Sequence, residues 1–299
     1  MARILLQVPE GLKTKATELA ARLEKEGNEV MISGEPCYGA CDIKVDEAKR
    51  LGCQKIVHYG HTRFVETDFP VKYAEHRENV NVDVASILEK NRTALEGFRK
   101  IGLVSSLQFL DAMKPAKEFL DKNGHKALIG EVKSTKKLYP GQILGCDVSA
   151  AKRIEKDVDA FLFLGCGKFH PLGLSLKGDK PIFSLDFEKG TIAKVDDSLF
   201  RKQRTVAVAL AKDARTFGIL VSTKLGQSNI DLANAVKRKL SANGKNAFIL
   251  ALDEIRPEKL MGIKADAWVC TACPRIAIEN RGEFKGPILN PDELDESFK

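Results

Sequence analysis

The sequence predicts an α/β fold built from three small domains with parallel sheets, repeated in tandem. Short apolar runs alternate along the whole chain with longer stretches of helical period, the pattern of strands joined through crossover helices. One theme, a strand, a long helix, a glycine turn and a second strand, recurs three times at intervals of about a hundred residues. With 299 residues and 43% hydrophobic composition, the chain can supply two or three cores of ordinary size.

In the first copy, residues 4–8 form the opening strand and 12–26 an amphipathic helix; Gly27-Asn28 turns into a strand at 29–32. The second copy opens at 101–105, continues through a helix at about 111–122, and turns at Gly124-His125 into 126–129. The third runs from 217–222 through a helix at 230–242 and Gly244-Lys245 into 247–251. Each copy then carries a further helix and another apolar strand, at 55–59, 160–164 and 267–270. Segments 79–83 and 181–186 read as closing strands, and the basic helices at 85–100 and 199–216 as connectors. The expected domains are therefore 1–95, 96–197 and 198–299, with cuts placed only to within several residues.

No stretch approaches the roughly eighteen apolar residues of a membrane span, so no membrane association is expected. The opening Met1-Ala-Arg-Ile-Leu-Leu-Gln-Val-Pro9 reads as a strand and its turn rather than a signal peptide, which points to the cytoplasm. The formal charge of +7 is spread along helical faces. It suits acidic partners but does not by itself argue for nucleic-acid binding, and none is expected directly.

Seven cysteines in a chain without an export signal argue against a disulfide framework and for metal or redox chemistry. Cys37 and Cys41 follow the second strand, Cys146 follows Tyr139-Pro-Gly-Gln-Ile-Leu-Gly145, Cys166 ends a strand, and Cys270 and Cys273 end the last one. These places lie at the carboxyl ends of the expected strands, where open parallel sheets bind ligands. Locally, Cys37-x3-Cys41 and Cys270-x2-Cys273 suggest two small sites, but no matching second Cys-x2-Cys pair supports a structural zinc site. One cysteine per copy fits better. Cys41 and Cys146 each precede an aspartate and a helix, and Cys273 precedes Pro274 at a helix start, where amide groups favour a thiolate. Three thiolates leave one coordination position open, the mark of a catalytic centre. The expected fold is thus three α/β domains related by pseudo-three-fold repetition around a central cluster. Cys53 reads as core packing, and Cys37, Cys166 and Cys270 as buried or bystander thiols.

Tyr38-Gly-Ala-Cys-Asp42, Leu144-Gly-Cys-Asp147, Gly218-Ile-Leu-Val-Ser-Thr-Lys-Leu-Gly-Gln227 and Ala272-Cys-Pro-Arg-Ile-Ala-Ile278 together resemble the diphthamide-biosynthesis 2-(3-amino-3-carboxypropyl)histidine synthase family. The compact single chain is similar to the archaeal form. The resemblance implies a [4Fe-4S] cluster held by Cys41, Cys146 and Cys273, with S-adenosylmethionine (SAM) at the fourth iron. It implies transfer of a 3-amino-3-carboxypropyl group from SAM to a histidine of translation elongation factor two, release of methylthioadenosine by a noncanonical radical route, an electron donor of unknown identity, and a homodimer. The Cys-x3-Cys-x2-Cys loop of the usual radical enzymes is absent.

Under that resemblance, His58 and His61 would orient SAM or remove a proton from the imidazole adduct. Ser106 and Gln108, and Gly226 with Gln227, follow the opening strands of domains two and three and would hydrogen-bond adenine, ribose or carboxylate. Pro9-Glu10-Gly11 reads as a turn and helix cap, His170 as a loop residue beside the site, and Trp268 as core. Neither a phosphate-binding Gly-x4-Gly-Lys-Ser/Thr loop nor a dinucleotide Gly-x-Gly-x-x-Gly is present. Two rival readings remain: an enzyme on small acids that resembles quinolinate synthase in plan only, and a non-catalytic binding module with the same fold.

Overall fold

The computed structural model describes residues 1–78, 83–132, 138–279 and 283–298. The chain divides into two compact units, Met1–Val195 and Asp196–Lys299.

The first unit holds two sheets. In one, β1 (Arg3–Gln7), β2 (Glu29–Ile32), β3 (Lys55–Tyr59) and β4 (Val71–Ala74) lie in the order β2-β1-β3-β4, every pair parallel. A 3-10 segment, Glu10–Lys15, leads from β1 into α1 (Ala16–Lys25), and α2 (Val45–Arg50) joins β2 to β3. Because side chains alternate along a strand, Ile4 and Leu6 pack with Leu19 and Ala20 of α1, while Leu5 packs with Val45 and Ala48 of α2. The strand order sends successive crossovers in opposite directions, so right-handed connections place the two helices on opposite faces.

After α3 (Val84–Lys90), the second sheet contains β5 (Lys100–Ser105), α4 (Met113–Lys122), β6 (Lys126–Ile129), α5 (Ser149–Ile154), β7 (Ala160–Gly165), α6 (Phe169–Ser175), β8 (Ile182–Asp186) and β9 (Thr191–Lys194). Its order is β6-β5-β7-β8-β9, and only the β8–β9 pair is antiparallel. The second unit begins with α7 (Ser198–Lys212). It continues as β10 (Thr216–Ser222), α8 (Ile230–Ala242), β11 (Asn246–Leu252), β12 (Ala267–Cys270), α9 (Pro274–Glu279) and β13 (Ile288–Leu289), with the strands ordered β11-β10-β12-β13. The α/β class and its repetition therefore hold: all three sheets share one strand order at their centre.

Several details differ from expectation. The fourth strand of the first sheet is β4, at 71–74; of the expected closing strand at 79–83, residues 79–82 lie outside the described residues. The expected strand at 181–186 is β8, but it turns back into β9, with Asp186 Oδ1 accepting the N–H groups of Glu188 and Lys189 and Gly190 taking a φ of 62°. Expected helices 12–26 and 111–122 each begin as 3-10 turns, Glu10–Lys15 and Leu107–Ala112.

Two devices set the register. An acceptor just before each third strand receives the N–H that starts the central strand. Gln54 Oε1 accepts from Arg3, Asp159 Oδ2 from Arg99 at 2.9 Å and Lys100 at 2.8 Å, and Asp266 Oδ2 from Arg215 at 3.0 Å and Thr216 at 2.8 Å. These backbone hydrogen bonds hold both aspartates below the usual carboxylate range. One rung further along, Leu5 faces Ile56, Gly102 faces Phe161 and Gly218 faces Trp268. A Cβ on Gly102 would stand 2.5 Å from the Phe161 ring, and one on Gly218 2.2 Å from the Trp268 ring. In those two sheets the large aromatic takes the space that a side chain on the central strand would fill.

Gly218→Ala should therefore destabilise the second unit by about 1–3 kcal/mol through overpacking. The shift would be read from urea denaturation followed by emission of Trp268, the single tryptophan of the chain.

Candidate functional site

All three sheets are parallel at their centres, so the connections that follow the strands gather at the carboxyl edge of each sheet. Cys41 lies in such a connection, between β2 and α2, in a turn closed by Asp42 N–H donating to the Gly39 carbonyl at 3.0 Å. Asp42 is buried, and Lys44 Nζ reaches its carboxylate at 3.0 Å. Cys146 lies between β6 and α5. Its segment is docked beside the end of β5, where Ser105 donates its N–H to Gly141 at 3.0 Å and accepts that of Ile143 at 2.9 Å. Lys177 Nζ donates to the Cys146 carbonyl at 2.8 Å, and Asp147 Oδ1 accepts the Ser149 N–H at 3.0 Å.

In the second unit, Cys273 follows β12 and directly precedes Pro274, the first residue of α9. The Cys270 thiol donates to its carbonyl at 3.6 Å, and buried Arg275 sits on the first turn of α9. Cys41 and Cys146 thus follow the second strand of their sheets, whereas Cys273 follows the third. The helix starts stand further from two of these thiols than expected: α2 begins at Val45 and α5 at Ser149, so turns rather than helix termini hold Cys41 and Cys146.

Exposure separates four cysteines from the other three. Cys41, Cys146 and Cys273 are each partly exposed, whereas Cys37, Cys53 and Cys270 are buried. Burial pushes the Cys37 and Cys270 thiols up to about 12 and also raises Cys53. Cys166 is partly exposed as well, and burial raises it despite the Glu188 and Phe187 N–H groups that donate to its sulfur. Its Sγ and carboxylate oxygens of Asp186 and Glu188 lie within 4.8 Å of one another.

Gln7 stands at the end of β1, 1% exposed, and joins two groups that sequence reasoning treated separately. Its amide nitrogen donates to the Asp42 carbonyl, beside Cys41, while its Oε1 accepts the Lys44 N–H at 3.4 Å. The same Oε1 lies 3.3 Å from His58 Nδ1, and His58 Nε2 lies 3.0 Å from His61 Nδ1. His58 is fully buried at the end of β3, edge-on to Tyr73, and burial, reinforced by His61, lowers it to about 3; burial lowers His61 to about 4. Both rings are neutral at neutral pH. Thr62, next to His61, accepts from Gln142 Nε2 at 3.3 Å, which ties the histidine loop to the segment that leads into Cys146.

Ser106 is buried at the start of the 3-10 turn after β5, its carbonyl accepting from Ser105 Oγ at 3.0 Å, and Gln108 offers its carbonyl to the Glu78 N–H at 2.9 Å. Gly226 and Gln227 occupy the turn between β10 and α8, where the Gln227 and Ser228 N–H groups both donate to the Lys224 carbonyl at 2.9 Å. Lys224 is itself buried, 3.8 Å from Asp253 Oδ2. Pro9 caps the 3-10 turn after β1, His170 stacks on Phe163, and Trp268 is core. Sequence reasoning did not single out Gln7, Thr62, Gln142, Lys224 or Arg275. Gln142, Lys224 and Arg275 lie within the quoted stretches 139–145, 218–227 and 272–278, and Gln7 carried the signal of a glutamine inside an apolar strand.

A family model described as "Putative diphthamide synthesis protein" matches residues 8–299. The chain is 35% identical over 299 residues to 2-(3-amino-3-carboxypropyl)histidine synthase of Pyrococcus horikoshii, a match spanning 98% of this chain and 84% of that protein. It is 30% identical over 301 residues to 2-(3-amino-3-carboxypropyl)histidine synthase subunit 1 of Homo sapiens, spanning 97% of this chain and 67% of that one. A crystal structure of Dph2 from Pyrococcus horikoshii with a 4Fe-4S cluster matches with a TM-score of 0.91 at 33% identity, covering 99% of this chain and 86% of that chain.

Brief alkylation of the native apo protein at mildly alkaline pH, read by peptide mass spectrometry, should label Cys41, Cys146 and Cys273 and spare Cys37 and Cys270. A second expectation concerns acid. Both histidines bind protons more weakly folded than unfolded, so stability is complete above the unfolded value of 6.5 and falls as pH drops towards about 4 for His61 and about 3 for His58. Denaturation midpoints measured between those limits should decline more steeply in the native chain than in His58→Phe.

Proposed function

Because this chain belongs to the diphthamide synthesis protein family, we propose a residue-level account of how it works as a 2-(3-amino-3-carboxypropyl)histidine synthase, the enzyme of the first step of diphthamide synthesis. The reading is carried by one observation: each sheet offers a partly exposed cysteine at its carboxyl edge, in a chain related to the Pyrococcus horikoshii enzyme over nearly its whole length.

Cys41, Cys146 and Cys273 hold a [4Fe-4S] cluster, one thiolate from each of the domains 1–95, 96–197 and 198–299. An all-sulfur donor set suits iron-sulfur chemistry, and the buried thiols Cys37 and Cys270 are poor competitors for it. When bound, the cluster supplies one electron to the sulfonium of SAM, which opens a carbon-sulfur bond. The chain's own residues do the rest. Ser106 and Gln108 on one sheet, and Gly226 and Gln227 on another, bind the polar groups of SAM and fix which carbon faces the metal. Gln7 and Asp42 brace the Cys41 turn. His61, neutral and partly exposed, takes the proton lost by the substrate imidazole, with His58 behind it.

The acceptor is a histidine of translation elongation factor two. A homodimer working in the cytoplasm with a separate electron donor completes the reading; the lack of any helix among the described residues long and apolar enough to cross a membrane is consistent with it.

Anaerobic reconstitution followed by dithionite reduction with SAM and elongation factor two tests this directly. Methylthioadenosine should appear together with a modified histidine. Cys41→Ala, Cys146→Ala and Cys273→Ala should each lose the visible absorbance of the cluster and fall to background turnover, while Cys53→Ala keeps both. Retention of the cluster in any of the first three would overturn that ligand's assignment.

A further inference from the structure

The central strands of the three sheets pair in one common register. Two residues beyond the rungs Leu5–Ile56, Gly102–Phe161 and Gly218–Trp268 come Gln7–His58, Val104–Phe163 and Leu220–Cys270. All of these residues are buried. Two of the sheets fill the slot with Val against Phe and Leu against Cys, so packing alone is met by weakly polar or apolar side chains. The first sheet places a carboxamide and an imidazole there, which is costly unless each proton and lone pair is matched.

They are matched in only one way. Gln7 has the Asp42 carbonyl, an acceptor, on one side and the Lys44 N–H, a donor, on the other, so its amide admits a single orientation with Oε1 towards Lys44. His58 Nδ1 lies 3.3 Å from that oxygen and must carry the proton. Burial keeps His58 neutral, so its Nε2 bears a lone pair, and His61 Nδ1 at 3.0 Å must be the donor to it. Neutral His61 then bears its own lone pair on Nε2. The Thr62–Gln142 hydrogen bond pins the residue that follows His61 and restricts where the ring can move.

The geometry points to Gln7 as a positioning residue that sets both imidazole tautomers, so that His61 presents an unprotonated Nε2 to the substrate. This rests on the reading of His61 as proton acceptor. In the transfer, one carbon-sulfur bond of SAM breaks and one carbon-carbon bond forms at carbon 2 of the substrate imidazole. The hydrogen on that carbon leaves as a proton to His61 Nε2, methylthioadenosine departs, and the one electron used to open the carbon-sulfur bond returns from the adduct to the cluster that supplied it. Reactants and products then stand at the same total oxidation level, so no further oxidant enters. Gln7 cannot take up the proton, so the charge stays on the histidine pair until His61 releases it to solvent.

The test is long-range proton-nitrogen NMR of the anaerobic holoenzyme labelled with ¹⁵N-histidine, with the five histidines assigned by single substitution. His58 and His61 should both be protonated at Nδ1, the opposite of the form that imidazole side chains favour in water. Gln7→Met removes the acceptor, so both rings should move to the Nε2–H form. Turnover per assembled cluster should then fall on the order of a hundredfold, the scale of a lost general base, with SAM affinity of the cluster-loaded fraction unchanged. An Nε2–H form on either ring of the native enzyme overturns the assignment, and that spectrum decides even if Gln7→Met does not fold. Inverted tautomers with undiminished turnover overturn the positioning role. If the native enzyme yields no modified histidine, the proton-acceptor reading fails separately, whatever the spectra show.

Discussion

A parallel sheet points all its strands one way, so every strand-to-helix connection leaves from the same edge. That constraint places all the candidate chemistry of this chain. The strand order second-first-third recurs in all three sheets, and the acceptors Gln54, Asp159 and Asp266 hold the starts of the central strands against the third strands. With the amino ends held, each central strand keeps one register with its third strand, and the loops bearing Cys41, Cys146 and Cys273 leave from the carboxyl edge of their own sheets. The rungs Gly102–Phe161 and Gly218–Trp268 maintain this by steric exclusion, since neither glycine can gain a side chain without displacing an aromatic ring.

Burial then places residues of the same type in different chemical settings. Buried cysteines are pushed towards inert thiols, as at Cys37 and Cys270, while the partly exposed ones in turns stay accessible to metal. The same physics acts with the opposite sign on the histidines. Desolvation disfavours the imidazolium, so His58 and His61 are lowered and held neutral, the state in which an imidazole can accept a proton. A hydrogen bond joins the buried His58 ring to the less buried His61.

Much of the fold was legible because period and length were unambiguous. Runs such as Ile-Gly-Leu-Val-Ser at 101–105 and Phe-Leu-Phe-Leu at 161–164 are too short for helices and too apolar for surface loops, and the glycine turns marked the helix ends. What escaped was weakly patterned. β4 and β9 are four residues each and half exposed, with lysine and threonine in the pattern, so they gain strand character only from the neighbour they pair with. The 3-10 turns before α1 and α4 escaped because helical period does not separate a 3-10 start from an α-helical one. At the site, the cysteine turns could be read from Gly-Cys-Asp and Cys-Pro, but not that α2 begins four residues after Cys41.

By itself, then, the sequence determined the α/β class and the tandem repetition, and it singled out Cys41, Cys146 and Cys273 as candidates, because apolar period and local turn chemistry act over a few neighbouring residues. Tertiary structure alone decided the partnership of Gln7 with Asp42, Lys44 and His58, and of Thr62 with Gln142. Those pairs are separated by 35 to 80 positions along the chain. A hydrogen bond over such a span exists only once strand register has brought its two ends together, and no local pattern encodes that register.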